Sequence, residues 1–207
     1  METGKITMAV ADGVSTRQAK RMQTRERLLG AAIAEFKRAG MAEADVGAIV
    51  AAAGVAHGTF FFHFPTKEHV LLEMENREED RIAGLLNRFA DTEHDLAAVL
   101  NEAVRLILGL ERRLGTILFR DVIALHFSQT RPPAGEGEDH AVIVFVAREI
   151  GLAQERGDVV PDVVPMNSAV FFLLGFYALL ATMNAWSTRD EVIEDYVRRA
   201  LRSMTAR

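Results

Sequence analysis

The chain has 207 residues, no cysteine and a formal net charge of −5. A chain of this length buries roughly 70% of its unfolded surface without staples, and the missing cysteine excludes disulfides and thiolate-held metal. A reducing, cytoplasmic setting is compatible with that composition and is the expected one. The charge is uneven. Residues 15–69 carry eight Lys/Arg against five Asp/Glu, whereas residues 70–207 carry fifteen against twenty-two. A basic head on an acidic body steers the head toward phosphate.

Met1 to about Val14 lacks periodicity and is expected to fray. Arg17, Lys20, Arg21, Arg25 and Arg27 form a basic run entering a first helix, whose core stripe is Leu28, Leu29, Ala32, Ile33 and Phe36. Gly40 ends it. Asp45 stands where an N-cap belongs, ahead of Val46, Ile49, Val50 and Ala53 at helical spacing. Gly54 suits the left-handed turn that stops a helix. A short third helix reads from about His57 to Phe62, with Phe60 and Phe64 turned inward and Pro65 ending it. Two short helices around a glycine turn form a helix-turn-helix, whose second helix can enter a major groove.

Thr66 can cap a fourth helix from Lys67, which runs through Val70, Leu71, Met74, Ile82, Leu85, Leu86 and Phe89. A fifth spans about Asp95 to Leu110. A sixth, about Thr116 to Ser128, is nearly all apolar and reads as a central helix. A proline- and glycine-containing loop over residues 129–137 precedes a seventh, about Glu138 to Arg156. Ser168 to Trp186 is long and apolar enough to span a bilayer. With no second span and no basic flank, it reads better as a helix buried on both sides, with no membrane involved. A last helix covers about Arg189 to Met204, with Glu194–Arg198 and Asp195–Arg199 outward at i,i+4. The fold class is all-α, divided at 15–66 and 67–207.

The order Gly54-Val55-x-x-Gly58-Thr59-Phe60-Phe61-x-His63-Phe64-x-x-Lys67-Glu68, preceded by Thr24-Arg25-Glu26-Arg27, resembles the TetR family of repressors over about residues 22–82. The resemblance implies a ligand-released repressor that binds a near-palindromic double-stranded operator as a homodimer. It places the dimer seam on helices at about 168–186 and 189–204. It also makes the fourth helix the carrier of the ligand signal. Candidate DNA contacts are Arg25, Asp45, Ala56, His57, Thr59, Phe61, Phe62, His63 and Lys67. Thr59 and His63 can donate to phosphates, His57 lies where side chains reach base edges, and Phe62 can touch a thymine methyl. Lys67 is assigned a phosphate contact by the resemblance. Four positions depart from the family pattern. Ala56 cannot cap, His57 replaces a common Lys, Phe61 replaces a Tyr that bonds phosphate, and Gly47 stands where a basic residue is frequent. Each loss weakens the phosphate grip.

In the body, Met74, Phe89, Phe119, Phe127, Phe145, Phe172, Phe176 and Met183 are the expected pocket walls, with His126 and Tyr177 as polar candidates. Such walls suit a small apolar or aromatic inducer. Tyr177 and Asn184 are seven apart and share a face, which is either pocket or dimer seam. His57, His63 and His69 do not share a helical face, so a metal site is rejected. The chain shows no catalytic carboxylate pair, nucleophile motif or glycine-rich phosphate loop, so neither an enzyme nor a cofactor is expected. The other reading is a ligand-binding or interaction module with a silent head.

Overall fold

The computed structural model describes residues 3–129, 131–133, 140–183 and 186–205, with side chains described from residue 16 onward. Among the described residues there is no strand. The helices are α1 (Thr3–Ala39), α2 (Val46–Ala53), α3 (His57–His63), α4 (Lys67–Ala90), α5 (Leu96–Leu114), α6 (Thr116–His126), α7 (Ala141–Glu155), α8 (Pro165–Thr182) and α9 (Arg189–Met204). The all-α expectation is borne out. The chain divides into a head ending at Leu71 and a body beginning at Leu72. The division falls inside α4, where the sequence alone places it before Lys67.

The head is built by α1 packing on α2 and α2 on α3. Leu28, Leu29, Ala32 and Phe36 of α1 bury as the helical spacing requires. The frayed start expected before Val14 is not observed, because α1 already begins at Thr3. No proline stands before Pro65, so nothing forces the helix to end early.

In the body, α8 packs on α7, α6 and α9, and α5 packs on α6, α7 and α9. The α6 reading needs correction. Leu118, Phe119, Val122, Ile123 and Leu125 are buried, yet Ile117 and Arg120 face out. Arg120 interrupts the apolar ring, so α6 is an amphipathic wall and not a central helix. α8 starts at Pro165, with proline at the first turn where its missing N–H costs nothing. Its 18 residues have a mean hydropathy of 1.5, but it lies against three neighbours as a wall of the body. Tyr196 of α9 crosses it at Gly175, where a Cβ would collide with the Tyr196 hydroxyl. That hydroxyl donates to the Phe172 carbonyl at 2.6 Å. On the α9 surface Arg198 pairs with Asp195 at 3.3 Å rather than with Glu194, so one carboxylate serves both Arg198 and Arg199.

Candidate functional site

The head's reading surface is made by three local devices. Asp45 caps α2, its carboxylate accepting from the Gly47 N–H at 2.7 Å. A side chain at Gly47 would place its Cβ 3.1 Å from that same carboxylate oxygen. The missing basic residue therefore has a local counterpart in the tight cap. Gly54 then adopts φ 65°, which lets the Val55 N–H return to the Val50 carbonyl at 3.0 Å. The two helices meet at a bend of 95°, within the helix-turn-helix range.

α3 is held by Phe60, His63 and the following Phe64, all buried. Its outer side presents Ala56, His57, Phe61 and Phe62, with Phe62 68% exposed. Thr59 is half-buried. As expected for alanine, Ala56 provides no side-chain cap. Arg21 lies over the Phe62 ring, 5.3 Å from its centre.

Three expected contacts sit differently. His63 is 7% exposed, because it follows Phe60 by three and shares the inward face. Burial, then the charges of Arg25 and Arg21, lower its pKa and favour the neutral ring, which keeps a single N–H donor. Arg25 turns back on the head. Its guanidinium donates to the His63 carbonyl and lies 4.1 Å from the centre of the Phe64 ring. The Lys67 ammonium donates to the Ala42 carbonyl at 2.8 Å, tying α4 to the loop that leads into α2. Arg25 and Lys67 thus position the reading helix as well as adding charge.

The body holds a partly open cavity of about 40 Å³, room for one or two waters. Met74, Glu75, Glu78, Glu79 and Ile82 of α4 form one wall. Phe119, Val122, Ile123 and His126 of α6 form another, and Tyr177 of α8 reaches in. Four expected residues, Met74, Phe119, His126 and Tyr177, thus come together. Tyr177 faces the cavity, while Asn184 lies outside the described residues.

The remaining walls were misplaced by sequence reasoning. Phe127 is 51% exposed beyond the end of α6. Phe89 lies against His94, 5.6 Å between ring centres, at the far end of α4. Phe145 is buried beneath the Arg148 guanidinium. Phe172 and Phe176 stack on Tyr196. Met183 is buried at the end of α8. All five aromatic rings are apolar enough for a pocket, but helix packing turned them to other faces.

The carboxylates of the cavity were missed. Glu75 accepts from His126 at 2.9 Å and from Arg131 at 2.8 Å. Burial pushes the Glu75 carboxyl up, but these hydrogen bonds outweigh it and hold the group below its usual range. Glu79 meets His140 at 3.3 Å. Tyr177 is raised above the usual phenol range by burial, then by the charges of Glu79 and Glu75. The i, i+3, i+4 spacing of Glu75, Glu78 and Glu79 was the available signal, since it puts all three on the face shared with Ile82. Among the described residues, no group of His, Asp or Glu is arranged to hold a metal ion.

Two histidines make body stability pH-dependent. His94 is raised by the Thr92 carbonyl, then by Glu149, and His140 by Glu79. Groups raised in the folded state stabilise fully below the unfolded pKa of about 6.5 and lose that effect as pH rises through the folded value. The melting-temperature gap between the wild type and a His94→Gln, His140→Gln variant should therefore be widest near pH 6 and shrink toward pH 9. An unchanged gap would show that neither histidine gains a proton's worth of stability on folding.

The fold and head geometry define a helix-turn-helix protein with an all-helical body. Residues 28–74 match the family described as bacterial regulatory proteins, tetR family. The A-factor receptor protein of Streptomyces griseus is 26% identical over 180 residues, which cover 85% of this chain and 60% of that protein's length. Among solved structures, Thermus thermophilus FadR, a TetR family transcriptional repressor in complex with lauroyl-CoA, superposes with a TM-score of 0.71. It is 22% identical, over 88% of this chain and 96% of that one. RolR in complex with its ligand resorcinol superposes at 0.66, with 17% identity over 90% of each chain. The match to the TetR family thus covers the head, over residues 28–74, and the solved structures share the all-helical fold of the chain.

Proposed function

We propose that the protein is a DNA-binding transcriptional regulator that holds a near-palindromic operator as a homodimer and releases it when a small molecule enters the body. The observation that carries this reading is the exposed face of α3. His57, Phe61 and Phe62 are exposed there, beside Arg21, on a helix fixed by buried Phe60 and Phe64. Nothing in the head's own packing requires two exposed phenylalanines, and an apolar tip can meet thymine methyls in a major groove. The first division of labour is then His57 and Phe62 at bases, Arg21 at phosphate, and Asp45, Arg25 and Lys67 as positioning residues. α4 begins in the head at Lys67 and carries the cavity residues Met74, Glu75 and Glu79. A ligand that moves those residues acts on the same helix, with a coupling of about 1–3 kcal/mol.

Selection of a randomised DNA library at low and moderate salt tests the reading. An enriched palindrome whose affinity falls with salt supports it. No enrichment at either salt favours a head silenced at Gly47, Ala56 and Phe61.

The dimer seam is assigned to α8 and α9. Phe171 is 72% exposed on α8, beside a groove lined by Ser168, Tyr196, Ala200 and Met204. A charge in place of a buried interface aromatic removes an anchor of the kind that dominates binding energy. Phe171→Lys is expected to raise the dimer dissociation constant about a hundredfold or more, read by analytical ultracentrifugation. An unchanged sedimentation profile would place the seam elsewhere.

A further inference from the structure

The molecules seen with the relatives differ widely in size and charge, so the ligand class must come from this chain's own cavity. None of the residues lining it is Lys or Arg, whereas Glu75, Glu78 and Glu79 all do so. The three carboxylates are not equally compensated. Glu75 has Arg131 at 2.8 Å and His126 at 2.9 Å. Glu78 has Arg113 at 2.6 Å and Arg81 at 2.7 Å. Among the described residues, Glu79 has the His140 ring at 3.3 Å and the Val142 N–H at 3.4 Å, both at or beyond the long edge of ordinary hydrogen-bond lengths.

Glu79 is therefore the weakly held carboxylate, and it borders apolar walls from Met74, Ile82, Phe119 and Val122, all buried. The Tyr177 hydroxyl shares the same space. Glu79 is partly buried, its side chain 19% exposed, with a histidine as its charged partner, so a ligand cation brought against it gains an ion pair shielded from bulk water. An anionic ligand would meet three negative groups and no fixed positive one in the lining.

We propose that the cavity takes a ligand with an apolar, aromatic or aliphatic, body and one protonated nitrogen, the nitrogen lying against Glu79 with the Tyr177 ring beside it. This rests on the reading of the body as the ligand site. The aromatic face of Tyr177 adds a cation–π surface to the ion pair. The space of about 40 Å³ requires the walls to yield, and the unbranched Met74 is the wall residue most able to do so.

Isothermal calorimetry on the full chain at pH 8, without DNA, tests the proposal. The probes are 4-phenylbutylamine, 4-phenylbutanol and 4-phenylbutyrate, which differ in charge and little in shape. The amine is expected to bind at least about tenfold more tightly than the acid, with the alcohol between. Glu79→Gln should bring amine and acid to within about threefold. Glu79→Asp should keep the preference, as should Glu102→Gln, which removes a charge from α5 away from the cavity. An acid that binds as well as the amine overturns the proposal. So does a preference untouched by Glu79→Gln, or no saturable binding of any of the three probes. Operator selection is read separately. A failure here with an enriched operator therefore leaves the regulator reading standing, and a charge preference without an operator leaves this inference standing.

Discussion

Replacing Phe60 by alanine is expected to unfold the head while the body stays folded. Phe60 is fully buried, edge-on to Phe61 with ring centres 5.2 Å apart and 6.0 Å from Phe64. Removing a buried phenylalanine costs about 3–5 kcal/mol. α3 has only seven residues, far too few to stay helical without tertiary anchors. The head is also small, and small units have little stability in reserve. Amide hydrogen exchange should show protection lost across α1–α3 and kept in α5 and α7, with operator binding lost as well. Phe62→Ala is the contrast. Phe62 is 68% exposed, so its loss should cost about 0.5 kcal/mol or less and act only on DNA affinity. Full protection of α2 and α3 in the Phe60 variant would show that another group anchors the reading helix.

The second large effect is expected at Glu149, a carboxylate only 3% exposed. His94 reaches it at 3.1 Å and Arg148 at 2.8 Å. The other His94 nitrogen lies 2.6 Å from the Thr92 carbonyl. Both ring nitrogens thus face acceptors, and only the doubly protonated ring can donate to both. Burial pushes the Glu149 carboxyl up, but the bonds from His94 and Arg148 outweigh it and keep it ionised. Through this cluster α7 holds the connection between α4 and α5. Glu149→Ala leaves a void and a stranded imidazolium, and is expected to cost about 3–5 kcal/mol. Glu149→Met fills the space and permits a neutral histidine, so its loss should be about half as large or less. Urea midpoints for the two variants decide this. Equal losses would mean that the lost carboxylate, common to both variants, matters more than packing at this site.

Much of the head was legible because its signals are local. Asp45 as a cap and Gly54 as a left-handed stop depend on a few neighbouring residues, and both appear as read. So does the inward pair Phe60 and Phe64. His63 was misread because its role was taken from residue type, whereas its position three after Phe60 already placed it inward. The partners of Lys67, the carbonyls of Ala42 and Ala44, were not legible because they are distant in sequence.

The body shows the same division more sharply. Helical periodicity marks a buried face but does not say which other helix covers it. Phe145, Phe172 and Phe176 are buried as expected, yet away from the cavity. Phe127 lies just past the end of α6 and faces out. The carboxylates of α4 were not singled out in the sequence. Their pairing with Arg131, His126 and His140 spans more than fifty residues in each case.

By itself the sequence determined the all-helical class and the helix-turn-helix, because caps, glycine turns and apolar spacing act within a few residues. Only the tertiary structure decided which aromatic residues meet, that Tyr177 faces the cavity, and that Glu79 is the carboxylate with the weakest partners. Those outcomes depend on which helix faces pack together, and the free energy that selects a packing is shared among residues far apart in the chain.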